Sequence, residues 1–335
     1  MHVLIVTEKP SFARVLAPLA RAHWPQDDIT FFNVVPFANI KHRYPRGLKW
    51  ADCPHIGPAQ SKLADWTEWH GQPMHLDEGG DLTAVDSTFP SLIQEANEVV
   101  FACDPDASGA VAFEILLGSF MPAGCLAACP SLWCPSWSQE ALASALQQMR
   151  PFSEVAADAL AAGRIKRYFD WNWNTNSLVV LSRTMRQVGA PADAPPMSKY
   201  ALQLLYAMRG LSQPEVSDGQ VVHLMAHWKG TGRYQRMEGS PSCPLGGPAS
   251  YATILENLAA AGFVERLPRA AGADGSITQI SSLGRSFLDA LHPDCEDADL
   301  PFRLAAWCRT GESAKPAIDR YIRTFYGKQM RFFAH

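Results

Sequence analysis

The chain has 335 residues, 47% of them hydrophobic and 19% charged, and a formal net charge of −4. That is enough chain for two or three globular domains. The charge argues against a uniformly basic polynucleotide binder and leaves local stripes (Lys41–Arg46, Arg164–Tyr168, Lys328–Arg331) to decide nucleic-acid binding. No apolar run approaches the roughly 18 residues of a membrane span, and the N-terminus lacks a signal-peptide pattern. The eight cysteines contain no Cys-x-x-Cys pair. No membrane association, a cytoplasmic location and reduced thiols are therefore expected, rather than a zinc ribbon.

The chain opens with an apolar strand, Val3-Leu4-Ile5-Val6-Thr7, then Glu8-Lys9, then a Pro10-Ser11 helix start whose helix carries Phe12, Val15, Leu16 and Leu19 as its apolar stripe. A second strand is expected over Ile29–Pro36, followed by a stretch studded with Pro and Trp (Trp50, Pro54, Pro58, Trp66, Trp69). Leu92–Glu98 reads as a helix leading into the apolar run Val99–Ala102, which ends in Cys103-Asp104-Pro105-Asp106-Ala107-Ser108-Gly109. Asp104 and Asp106 would sit at the C-terminal lip of a strand, where open α/β sheets place ligands. Carboxylates this close repel, and Mg²⁺ with its oxygen ligands relieves that repulsion. A solvated turn or a helix cap is the alternative use of the same residues. Glu8, just past the first strand, can join them at one sheet edge.

Glu8-Lys9-Pro10-Ser11 followed by Asp104-Pro105-Asp106-x-x-Gly109 resembles the TOPRIM domain of type IA DNA topoisomerases, the topoisomerase III branch in particular. The resemblance implies an α/β TOPRIM domain with a Rossmann-like sheet over residues 1–150. It implies Mg²⁺ held by Glu8, Asp104 and Asp106, and Lys9 at the scissile phosphate. One departure stands out. The family pattern Asp-x-Asp-Arg-Glu-Gly-Glu is here thinned to Ala107, Ser108, Gly109 and Ala110 after Asp106.

Further on, Pro130–Pro135 leads to a helix over Ser138–Met149, with Ser138 as N-cap and Leu142, Ala145 and Leu146 inward. A long helix is expected from Phe152 through Phe169. The next run, Asp170-Trp171-Asn172-Trp173-Asn174-Thr175-Asn176-Ser177, reaching Ser182-Arg183-Thr184, is similar to the family segment that follows TOPRIM. This implies that residues 151–190 contact single-stranded DNA, with Arg167, Asn176 and Arg183 as the contacts. Asn and Arg alternating with Trp suit stacking and phosphate contacts; a buried helix with a Trp-rich core face is the other reading. Gly189–Pro196 is a linker, and Met197–Met208 a helix. His223 and His227 have metal-like spacing without a zincin glutamate, and read as core or surface histidines.

Gly246-Gly247-Pro248-Ala249-Ser250-Tyr251-Ala252 and its continuation to Val264 look like the Gly-Arg-Pro-Ser-Thr-Tyr-Ala helix and wing of the same family. Ile277–Arg285 looks like the strand and helix that follow. The resemblance implies Ser250 and Tyr251 at DNA, and a mainly α-helical region over 197–335 with a winged-helix-like unit around 245–290. Ala317–Phe325, with Ile318, Tyr321, Ile322 and Phe325 on one face, is expected to pack on this body. Between Arg183 and Gly246 there is no room for the family's β-rich arch. The family's Thr-Tyr-x-Arg-Thr-Asp-Ser is best matched by Gly232-Arg233-Tyr234-Gln235-Arg236-Met237-Glu238. That match makes Tyr234 the nucleophile and Arg236 the charge clamp. A rival alignment on Gly210–Glu215 has the tyrosine replaced, and an ordinary loop tyrosine at 234 also stays open.

The expected function is that of a topoisomerase-like protein acting on single-stranded DNA by Mg²⁺-dependent phosphodiester cleavage or rejoining. A TOPRIM nuclease using a metal-activated water is its hydrolytic variant. The alternative is a catalytically degenerate single-stranded DNA-binding module, of the kind a mobile element carries, working in a larger complex with a protein partner that supplies the missing gate.

Overall fold

Strand β1 (His2–Thr7) is buried from Val3 onward, and its side chains alternate between two apolar layers. Leu4 and Val6 pack with Phe32, Phe89, Phe101 and Phe113 on one side. Val3 and Ile5 pack with Phe12, Leu16, Phe31 and Leu142 on the other. A strand buried on both faces is a central strand of a sheet covered by helices on both sides. The computed structural model describes residues 1–34, 36–65, 69, 71–211, 215–231, 243–268 and 276–333. They fall into two units, one of residues 1–43 and 60–165, the other of residues 44–59 and 166–335.

In the first unit the other strands are β2 (Asp28–Val34), β3 (Ile40–His42), β4 (Ser61–Leu63), β5 (Gly71–Leu76), β6 (Leu82–Ala84), β7 (Glu98–Ala102), β8 (Pro130–Ser131) and β9 (Arg150–Pro151). Among the described residues the main sheet has the order β6-β5-β2-β1-β7-β8-β9. Its centre, β2-β1-β7-β8, is parallel, and β5, β6 and β9 add antiparallel edges. Strands β3 and β4 form a separate antiparallel pair.

Helices Pro10–His23, Phe89–Glu95, Ala107–Leu117 and Gln139–Gln147 contribute to the two apolar layers. Pro10 begins the first of them, where its missing N–H costs nothing. Ser138 caps the last by accepting from the Ala141 N–H, as its sequence position predicts. The helix expected at Leu92–Glu98 instead runs Phe89–Glu95, because Glu98 is extended and pairs with Val3 of β1. At Gly163 an added Cβ would lie 2.3 Å from the Ala107 carbonyl oxygen and 2.5 Å from Val111, so glycine permits close packing on the Ala107–Leu117 helix.

The helix expected to end at Phe169 is in fact a short turn, Phe152–Val155, followed by one helix over Ala157–Gln187. Its later part lies in the second unit, with Trp171 and Trp173 fully buried. Trp173 packs against Phe325, with ring centres 4.7 Å apart, and its carbonyl accepts from the Tyr326 hydroxyl at 2.9 Å. Tyr326 belongs to the helix Lys315–Phe333, longer than the expected Ala317–Phe325, which also buries Ile318, Ile322 and Phe325. Helices Lys199–Arg209, Asp218–Ala226, Tyr251–Ala260, Ser282–Asp289 and Leu300–Thr310 complete the unit's larger helices among the described residues. Strands β10 (Glu215–Ser217), β11 (Val264–Pro268) and β12 (Ser276–Ile280) form an antiparallel sheet in the order β10-β12-β11. Asp218 fastens this sheet by accepting from Thr278 at 2.7 Å and Ser276 at 2.5 Å while pairing with Arg266. No described helix is long and apolar enough to cross a membrane.

Candidate functional site

Strands β1, β7 and β8 are parallel, so the loops that follow them leave from one edge of the sheet. The first carries Glu8 and Lys9, the second Asp104 and Asp106, and the third Trp137. Glu8 Oε1 is buried and has no hydrogen-bond partner. Burial, reinforced by Asp104 and then Asp106, pushes the Glu8 carboxyl up to about 7. Gly109 allows this crowding. A Cβ there would lie 2.8 Å from Glu8 Oε1 and 2.2 Å from the Asp104 carbonyl oxygen.

The two aspartates are employed differently. Asp106 caps the Ala107–Leu117 helix, its Oδ1 accepting from the N–H groups of Ser108 at 2.7 Å and Gly109 at 2.9 Å. The helix-cap use of this residue is therefore realised in the fold. Asp104 accepts from the Lys9 ammonium at 2.5 Å, and that bond raises the lysine pKa. Lys9 is thus held by a carboxylate rather than left for a phosphate. Cys103, between the core and these acids, is buried and donates to the Val6 carbonyl. Ala110 is completely buried among apolar side chains, so a charged residue at that position would be without water.

Does this site fit a divalent cation? Among the described residues no group of three or more His, Cys, Asp or Glu is gathered closely enough to hold a metal ion. The donor chemistry does fit a hard cation, since all three groups are carboxylates. The partnerless Glu8 oxygen is also the kind of buried atom that a cation would satisfy. At present Lys9 supplies the positive charge for Asp104.

In the second unit the predicted DNA contacts lie apart from one another in role. Asn176 is fully buried. Its Oδ1 accepts from the His55 N–H at 2.7 Å, and its Nδ2 donates to the carbonyls of His55 and Asn172, both at 2.8 Å. Arg183 is exposed and lies over the rings of Trp50 at 4.8 Å and Phe333 at 5.2 Å. Arg167 is half-buried, and burial lowers its pKa against the opposing pull of Asp170 and Tyr44. Tyr251 is buried. Ser250, which donates to the Gly247 carbonyl at 2.7 Å, lines a pocket of about 490 Å³ with Lys166, Ser198, Tyr200, Thr253 and Asn257. Tyr234 and Arg236 lie outside the described residues. His223 and His227 stack with ring centres 4.1 Å apart at the end of their helix, both exposed.

No family model matches the sequence, and no curated protein matches it. Among solved structures, full-length topoisomerase I from Thermotoga maritima is similar at 11% identity and a TM-score of 0.36, over 61% of this chain and 29% of that one. The chain thus spans less than a third of that protein's length.

Three features of the two units had only faint sequence signals. Trp137 is one, a tryptophan between two serines just before a helix. Asp170 is another. It lies in the second unit between Lys166 at 2.9 Å and Lys199 at 2.5 Å, and only the Lys166 spacing of four residues hinted at it. Burial would raise the Asp170 carboxyl, but the two ammonium groups outweigh it and hold it well below the usual range. The third is the pairing of Asn172 and Asn176 with the segment at residues 55–57, which nothing local announces.

Proposed function

We propose that this chain is a DNA-processing protein of the type IA topoisomerase kind, acting on single-stranded DNA through a Mg²⁺ site of Glu8, Asp104 and Asp106. The observation that carries the reading is the partnerless, buried Glu8 oxygen set against two aspartates at the ligand-binding edge of a parallel sheet. The Glu8 carboxyl accepts one backbone hydrogen bond, from Asp104, and its buried Oε1 is left over for a further partner. A perturbed carboxylate in such a place is a candidate for a working site. When bound, Mg²⁺ supplies charge stabilisation at a phosphodiester and, in the hydrolytic variant, an activated water. Lys9 is the cation that passes from Asp104 to the phosphate. In the cleaving and rejoining form the Tyr234 oxygen, giving up its proton, bonds to the phosphorus while the P–O bond to one sugar oxygen breaks and that oxygen leaves as a hydroxyl; Arg236 steadies the developing charge, and rejoining is the reverse. Arg167, Arg183 and Ser250 receive the DNA backbone.

The order helix Lys199–Arg209, β10, helix Asp218–Ala226, helix Tyr251–Ala260, β11, β12, with the middle position of the sheet taken by β12, supports reading this region as a winged-helix unit. The test uses labelled single-stranded DNA, Mg²⁺ and an SDS quench. A protein–DNA adduct lost in Tyr234→Phe marks the covalent enzyme. Nicked product that survives Tyr234→Phe and disappears in Asp104→Asn marks a nuclease.

A second reading, a catalytically degenerate module that binds single-stranded DNA within a larger complex, is favoured by one observation. Lys9 and the helix N-terminus already satisfy Asp104 and Asp106 without a metal. Tight DNA binding with neither adduct nor nick establishes it.

A further inference from the structure

We propose that Trp137 is a nucleobase-stacking platform at the mouth of the Glu8–Asp104–Asp106 edge, so that the base it holds presents its own phosphate to Lys9. This rests on the reading that the edge handles single-stranded DNA.

Single exposed apolar residues are normal on protein surfaces and need no explanation. Trp137 differs by where it stands and how it is held. Among the described residues it is the tryptophan with a large open surface, 42% exposed. It follows β8, whose parallel pairing with β7 brings its loop to the same edge as Asp104. Phe12, from the helix that begins just after Lys9, packs against the indole with ring centres 5.2 Å apart. The Lys9 ammonium lies 5.7 Å from the indole centre while bound to Asp104 at 2.5 Å. The aromatic surface and the acidic edge therefore share one cation.

The loop is also fixed in advance. Cys134 donates to the Ser136 carbonyl at 3.2 Å, and the Ser138 N–H donates to the Ser136 hydroxyl at 3.2 Å. Ser138 in turn caps the following helix. A platform held this way loses little freedom on binding, which is what makes such a surface effective. The partner is a base rather than an apolar peptide, because the Lys9 ammonium lies beside the open indole, where a nucleotide's phosphate can meet it. Every base presents a π-face, so the platform is tolerant of sequence.

The test measures affinity of the full chain for a labelled single-stranded oligodeoxynucleotide in Mg²⁺. It is repeated with oligonucleotides carrying one abasic position moved along the strand. The variants are Trp137→Phe and Trp137→Leu, both of which keep a cover over Phe12. Stacking predicts near-wild-type binding for Phe and about a tenfold loss for Leu. It also predicts that one abasic position weakens the wild type but adds no further loss in Trp137→Leu. Equal binding by Trp137→Leu and wild type, or an abasic penalty that persists undiminished in Trp137→Leu, overturns the platform and leaves the DNA reading standing. A wild-type chain that binds no oligonucleotide overturns both.

Discussion

Asn172 meets Gly57 through both halves of its amide: Oδ1 accepts the Gly57 N–H at 2.9 Å, and Nδ2 donates to the Gly57 carbonyl at 3.0 Å. Asn176 repeats the pattern on His55. The two side chains act as rungs that hold the segment at residues 55–57 along the helix.

Asn176→Ala strands the His55 N–H and carbonyl, and should cost about 2–4 kcal/mol in urea unfolding. Asn176→Asp should be no better, because a carboxylate cannot donate to the two carbonyls. If Asn176 contacted DNA directly, the folded alanine variant would lose affinity without losing stability. The expected result is the reverse.

Glu8 makes stability depend on pH. Its carboxyl titrates near 7 in the fold, against 4.5 as its ordinary value. The native state thus binds the proton more tightly than the unfolded chain does. The contribution is fully present below about 4.5 and fades as pH rises through about 7, a loss on the order of 1–3 kcal/mol. Denaturation in EDTA from pH 5 to 8 should show this fall in the wild type and a flatter profile in Glu8→Gln. Mg²⁺ should restore stability at pH 8 in the wild type alone.

Gly109→Ala places a methyl against the Asp104 carbonyl and Glu8 Oε1. Because one obstacle is backbone, the helix start must move. A loss of about 1–3 kcal/mol is expected, together with weaker Mg²⁺ binding by calorimetry. Ala110→Gly, next in the chain but turned into the core, should reduce stability through helix propensity by about 1 kcal/mol and leave Mg²⁺ binding unchanged.

Asp170→Asn leaves Lys199 largely buried without its counter-charge. Removing one partner of a buried ion pair typically costs about 3–5 kcal/mol. Lys166 is more open to water, so Lys166→Met should cost much less. Asp170 titrates below its unfolded value, so its stabilisation is present above about pH 4 and is lost on acidification. The Asp170→Asn variant should show a shallower acid transition than the wild type.

The edge of the first sheet was legible in the sequence because its signals are local. Val3–Thr7 and Val99–Ala102 are apolar runs, and each is followed directly by its acids. Helix length was less legible. Asn, Thr and Trp are weak helix formers, yet the helix continues past Phe169 because burial of Trp171 and Trp173 and the bonds of Asn172 and Asn176 outweigh propensity. The role of those asparagines was invisible for another reason. Their partners lie 115 and 121 residues away in the chain.

That separation sets an order of events during synthesis. Residues 44–59 leave the ribosome well before the asparagines that hold them, which are translated 115 to 121 residues later. At 5–20 residues per second the wait is roughly 6–24 s. Through that interval Trp50, His55 and their neighbours are an unclaimed stretch of nascent chain, open to chaperones or to wrong partners. A nick or insertion between residues 60 and 165 would lengthen the exposure or make it permanent.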